Sequence, residues 1–215
     1  MKTKFRTDGD TAAFIYADVE PQYHDIVMGL YYQPSDEGFA KHFPANTPHL
    51  PEIYQRFALH AEEMVLQTAY ERPVPWKEAL EAFAEVAESG GIRWRLAGSA
   101  ALAIRGIDVL PRDLDLVTDN AGAQKLGDLL SDYLVEPVLS TSGWVANWFG
   151  RAFLHMRVEW IGVDDPYAAE GLETVYWRGE PIQAPSLEMQ LEEDRQRGLT
   201  ERVEKIERYL IDRRA

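Results

Sequence analysis

The chain has 215 residues, 46% of them hydrophobic, no cysteine and a formal net charge of −14. That composition supports a packed core, as one domain with an appendage or two small domains, and excludes disulfides and thiolate zinc sites. No apolar run approaches the ~20 residues of a membrane span, MKTKFRTDGD lacks the apolar stretch of a secretory signal, and the acid excess disfavours extended nucleic-acid binding, which draws on Lys and Arg; a cytoplasmic protein with a small substrate and no membrane attachment is expected.

In chain order, Phe14–Glu20 and Ile26–Tyr32 are rich in β-branched and aromatic residues and read as strands, with FAKHF extending a third. Pro44–Pro51 is proline-rich and expected to be irregular. Ile53–Thr68 has helical apolar spacing. Two prolines in Arg72–Pro75 break both helix and strand, which places a boundary there. Residues 1–72 are thus expected as a small α+β module of unknown role, and residues 73–215 as a second domain ending in a helical segment.

After the boundary, Trp76–Glu88 reads as a helix ended by Ser89-Gly90-Gly91. Ile92–Ala97 reads as a strand, Ser99–Arg105 as a helix, and Asn120–Tyr133 as a helix with Asn120 as N-cap. Val138–Ser140 and Val145–Phe149 read as strands about a Ser142-Gly143 turn, and Gly150-Arg151 as the hairpin turn leading into a strand over Phe153–Val163. The charged tail from Leu187 to Ile211 reads as one helix or a pair broken at Gly198.

The stretch carrying chemistry is Trp94–Val117, WRLAGSAALAIRGIDVLPRDLDLV. Successive strand residues point to opposite faces, so Asp113 and Asp115 share one face and Leu114 and Leu116 the other. Adjacent carboxylates repel unless a cation lies between them, and hard oxygen ligands suit Mg²⁺. Upstream, Gly98-Ser99 falls at a strand-to-helix turn, where glycine lets the backbone approach closely and free N–H groups face an anion.

Gly98-Ser99, thirteen intervening residues and Asp113-Leu114-Asp115-Leu116 resemble the signature of the nucleotidyltransferase superfamily, the DNA polymerase beta-like fold. The gap is at the long end of the family's range. Arg112 directly before the first aspartate is similar to the minimal and antibiotic-modifying members and to the AbiEii-type toxins. The resemblance spans about Glu85–Val163 and does not reach the first seventy-odd residues. It implies an α+β fold with a mixed sheet flanked by helices. It also implies two Mg²⁺ ions, a nucleoside triphosphate donor (ATP expected), contact of Gly98-Ser99 with the triphosphate, and a third carboxylate from a later strand. Glu159, an acid inside the apolar strand Phe153–Val163, matches that third position, with Asp164-Asp165 as rival.

Arg112 can reach a phosphate or pair with Asp108, and Arg105, Arg151 and Arg157 are further cations for a triphosphate. Glu192, Glu193 and Asp194 would favour a cationic acceptor. The expected activity is two-metal transfer of a nucleoside monophosphate to a hydroxyl of a small molecule. The alternatives are a toxin-type enzyme acting on RNA or protein, and a degenerate scaffold serving as a binding protein.

Overall fold

The computed structural model describes residues 1–141, 146–168 and 171–213. Its first unit is a four-stranded antiparallel sheet. β1 (Lys2–Asp8) and β2 (Thr11–Ala17) form a hairpin, β4 (Gly38–Pro44) pairs with the other edge of β2, and β3 (Gln33–Ser35) completes the order β1-β2-β4-β3. Between β2 and β3 the expected strand Ile26–Tyr32 is not formed; helix α1 (His24–Gly29) stands there. Tyr23, Val27 and Leu30 are buried, with Tyr32 buried just beyond them; the three-and-four spacing of the first three buries one side of a helical turn and overrides local β propensity.

Helix α2 (Leu50–Thr68) begins inside the segment expected to be irregular, because Pro51 falls in its first turn, where a missing N–H costs nothing. It lays Phe57 between Phe14 of β2 and Tyr32, with ring centroids 5.2 and 5.8 Å away. After Arg72–Pro75 comes α3 (Trp76–Ser89).

The second sheet comprises β5 (Trp94–Ala97), β6 (Leu114–Asp119), β7 (Leu134–Ser140), β8 (Trp148–Leu154) and β9 (Met156–Val163). Its order is β5-β6-β9-β8-β7, with β6 and β9 parallel and the other neighbours antiparallel. The fold is therefore α+β, a mixed sheet flanked by helices. α4 (Gly98–Ala103) follows β5, and α5 (Asn120–Leu129) joins β6 to β7. α3 and α5 cover one sheet face: Phe83 meets Trp94 edge-on at 5.1 Å, and Trp160 Nε1 donates to the Ala123 carbonyl at 3.0 Å. One apolar core runs continuously from Phe14 and Phe57 to Leu126 and Trp160.

Several boundaries differ from expectation. Asp119, not Asn120, caps α5, its carboxylate accepting from Gly122 N at 2.6 Å. The β8–β9 hairpin turns at His155 (φ 61°) rather than at Gly150-Arg151, which lie within β8. The register explains why: Gly150 faces Trp160 and Arg151 faces Glu159 across the ladder, so both are needed inside the strand. The expected Ser142-Gly143 turn and the start of the following strand lie outside the described residues. The hairpin of β10 (Leu172–Trp177) and β11 (Glu180–Pro185) was not expected. The tail divides at Gly198 (φ 69°) into α6 (Leu187–Gln196) and α7 (Thr200–Asp212).

A Cβ on Gly150 would lie 2.3 Å from two indole carbons of the fully buried Trp160. Gly150→Ala is expected to cost about 1–3 kcal/mol through overpacking. Combining it with Trp160→Leu should recover part of that cost in a double-mutant cycle followed by urea unfolding.

Candidate metal and nucleotide site

The sheet face opposite α3 and α5 carries the acids. In the parallel β6–β9 ladder Asp115 is paired with Glu159, and in the β5–β6 ladder Ala97 is paired with Asp115. Asp113 precedes β6 and projects to the same side. Carboxylate oxygens of Asp113, Asp115 and Glu159 lie within 4.8 Å of one another. This set of hard, closely spaced oxygen donors fits a divalent cation such as Mg²⁺.

Gly98 adjoins the cluster for a steric reason. It has φ +60°, and a Cβ there would sit 2.3 Å from Asp115 Oδ2. A side chain would thus meet both backbone strain and a carboxylate. The Gly98 carbonyl is fixed by Gln190 Nε2 of α6 at 2.5 Å. Ser99 is buried in the first turn of α4 and does not cap it; the N-cap position is Ala97. Ser99 opens onto a cavity of about 260 Å³ bordered by Tyr70, Arg112, Arg202 and Lys205. Arg112 lies over the Tyr70 ring at 5.1 Å and donates from Nε to its hydroxyl at 3.2 Å, rather than pairing with Asp108.

Cations the sequence offered for a triphosphate instead hold the acids. Arg157 donates to Asp113 Oδ2, and its Nε lies 3.0 Å from Glu159 Oε1, an ion pair without hydrogen-bond alignment. Arg151, 1% exposed, donates from Nε to Glu159 at 2.8 Å and from another nitrogen to Glu136 and to the Leu30 carbonyl. Lys41 of β4 completes the chain, donating to Glu136 at 2.5 Å. Arg105 is committed to Glu173 and to the Ala101 and Pro185 carbonyls. The rival acids are occupied as well: Asp164 accepts from Asn120 and Asn147, and Asp165 from the Tyr167 amide. Glu192, Glu193 and Asp194 interact with Gln196, Arg197 and Arg202 respectively.

Glu136 did not stand out in the sequence, and nothing there linked it to Arg151. Each is one charge in an apolar strand, and only pairing of β7 with β8 brings them opposite each other. The available signal was alternation, since Arg151 shares a strand parity with Phe149 and Phe153.

Burial pushes the Asp115 carboxyl well above the usual carboxylate range, reinforced by Asp113 and Glu159, with Arg157 and Arg202 opposing. Burial also acts upward on Glu159, but Arg151, Arg157 and Lys41 outweigh it and hold that carboxyl below its ordinary value.

No protein-family model and no curated protein matches the chain. Among solved structures, a candidate nucleotidyltransferase from Thermotoga maritima superposes with a TM-score of 0.48 at 21% identity, over 66% of this chain and 98% of that one. The lincosamide antibiotic adenylyltransferase LnuA, with lincomycin bound, superposes with a TM-score of 0.41 at 15% identity, over 53% of this chain and 82% of its own. At these values the likeness is one of general outline.

Because the folded state holds the Asp115 proton more tightly than the unfolded chain does, stability falls as pH rises from the unfolded pKa through the raised folded value. Without divalent cations, Asp115→Asn should therefore melt higher than wild type at pH 8 and lose that advantage near pH 4. A wild type at least as stable as the variant at pH 8 contradicts the strained-carboxylate assignment.

Proposed function

We propose that the chain is a Mg²⁺-dependent nucleotidyltransferase that moves a nucleoside monophosphate from a triphosphate, ATP by preference, to a hydroxyl of a small molecule. The observation that carries this reading is the cluster of Asp113, Asp115 and Glu159 within 4.8 Å, against a Gly98 turn that no larger residue could occupy. The motif resemblance supports the same class. The reading includes two Mg²⁺ ions, a cytoplasmic setting, and a division of the chain into residues 1–72 and 73–215.

In this scheme Asp113, Asp115 and Glu159 are the metal ligands. The bound ions would supply charge stabilisation to the attacking and leaving oxygens of an in-line displacement. The protein's own part is positioning and fixed charge. Ser99, Arg112, Arg202 and Lys205 border one cavity together with Glu201; Lys205 is paired with Glu201 and Arg202 with Asp194, so a triphosphate there would compete with these acids for two of the cations. Ser99 directly follows Gly98, whose Cβ position lies 2.3 Å from Asp115 Oδ2, so this cavity adjoins the acids. Arg151 holds Glu159 ionised and oriented by a 2.8 Å hydrogen bond. A negative cluster beside a cationic pocket would place the triphosphate tail away from the carboxylates and the transferred group over them.

The ion pairs of Arg157 with Asp113 and Glu159 favour a second reading, in which a guanidinium permanently replaces the metals and the scaffold only binds a partner. One experiment separates the two. Under the enzymatic reading, ATP at about 100 times Kd with Mg²⁺ raises stability by about 2.7 kcal/mol, about 5–10 °C for a chain this size. The shift needs Mg²⁺ and is lost in Asp115→Asn, while Arg202→Ala and Lys205→Ala weaken it. Transfer of label from α-labelled ATP should fall about 10²–10³-fold or more in Asp115→Asn. Absence of a Mg²⁺-dependent shift with every nucleoside triphosphate would favour the arginine-filled scaffold.

A further inference from the structure

The N-terminal sheet, absent from the motif resemblance, builds a pocket on the acid face. It encloses about 370 Å³ between β4 and the β7–β8 edge, with Tyr31, Lys41, Phe43, Glu136, Leu139 and Phe149 among its walls. The size is that of a small-molecule site.

Its position follows from strand register. Phe149 pairs with Ile161 and Arg151 with Glu159, so Phe149, Arg151 and Glu159 share one face of the sheet. On the next strand Glu136 lies opposite Arg151 and Leu139 opposite Phe149. The pocket floor is thus one to two strands from Glu159, about 5–10 Å at ordinary strand spacing. Tyr31 closes the wall beside Phe149, its ring meeting that of Phe149 edge-on at 6.2 Å.

The chemistry of the walls is mixed in a particular way. Lys41 Nζ sits 5.4 Å from the Tyr31 ring centre and 5.2 Å from that of Phe149. Glu136, 2% exposed, lies beneath it and is shared between Lys41 and Arg151. Two cations therefore flank one inaccessible carboxylate, and the charge presented to the pocket is the ammonium of Lys41, 18% exposed. Aromatic walls with a single inward cation match a flat ring bearing an anionic group.

We propose that this pocket is the acceptor subsite, and that it takes a hydroxylated aromatic anion with its ring against the Leu139 and Phe149 wall and its charged group toward Lys41. The assignment rests on the nucleotidyltransferase reading. It reverses the cationic acceptor expected from Glu192, Glu193 and Asp194, whose charges are engaged elsewhere.

The test uses full-length protein and two probes, 4-hydroxybenzoate and 6-hydroxy-2-naphthoate, titrated calorimetrically, with 6-amidino-2-naphthol as the cationic control. Magnesium–ATP binding is followed in parallel by thermal shift. The variants are Lys41→Met, which removes the ammonium, and Leu139→Trp, which fills the pocket from a half-buried wall position outside the ion-pair network. The expected result is binding of at least one anionic probe to wild type, weakened ten-fold or more in both variants, with the cation excluded and the Mg²⁺–ATP shift retained in Leu139→Trp. Should Lys41→Met fail to fold, Leu139→Trp alone decides. Failure of both anions to bind while Mg²⁺–ATP binds overturns the acceptor assignment and leaves the nucleotide reading standing. So does binding indifferent to Leu139→Trp. Binding of the anions without any Mg²⁺–ATP shift overturns the nucleotidyltransferase reading and the acceptor role with it.

Discussion

The structure depends on a repulsion that the fold maintains. Parallel pairing of β6 with β9 sets Asp115 beside Glu159, and Asp113 joins them from the position just before β6, so three carboxylates converge within 4.8 Å. Left alone such a cluster would neutralise itself by protonation or spread apart. Here Arg157 and Arg151 hold two of the three acids, while Asp115 bears the imbalance. A cation bound among them would relieve that repulsion. The destabilisation at neutral pH is electrostatic and centred on Asp115, not a defect of packing.

The same face explains how the remainder of the chain is arranged. Helices α3 and α5 occupy the apolar side of the sheet, leaving the acid side to be framed from its edges. On the β5 edge Gln190 of α6 fixes the Gly98 carbonyl, and Arg202 of α7 pairs with Asp194 of α6. On the β7–β8 edge the N-terminal sheet delivers Lys41 to Glu136 and the Leu30 carbonyl to Arg151. Charged groups so enclosed need partners on every side, and those partners come from segments far apart in sequence. A cavity of about 640 Å³ between the start of α2 and the end of α5 borders Glu52, Asp128 and Asp132 rather than the acid cluster. Size alone does not locate the chemistry.

What the sequence made legible was local. Gly98-Ser99 and Asp113-Leu114-Asp115 lie close enough in the chain for turn chemistry and strand alternation to relate them, and Glu159 could be placed by its strand. The strand expected over Ile26–Tyr32 failed because β-branched and aromatic residues also satisfy a short helix when their burial pattern demands it. The hairpin turn was misplaced because Gly150 resembles a turn glycine, whereas its missing side chain makes room for Trp160. Glu136, Arg151 and Lys41 could not be related at all. Their association depends on sheet order and on the docking of a module with no sequence signature of its own, and neither is a property of any local window.

This division of labour bears on specificity. The acid cluster and the Gly98 turn are fixed by steric and electrostatic demands that admit few residues. The pocket walls contributed by β4, β7 and β8 face no such demand. Tyr31, Phe43, Leu139 and Phe149 could be exchanged for other apolar residues without disturbing the Asp115–Glu159 pairing. Lys41 differs from them, because it reaches the acid cluster through Glu136 and Arg151 to Glu159. A change at Lys41 is therefore felt by Glu136, Arg151 and Glu159 in turn, since buried charges need partners on every side.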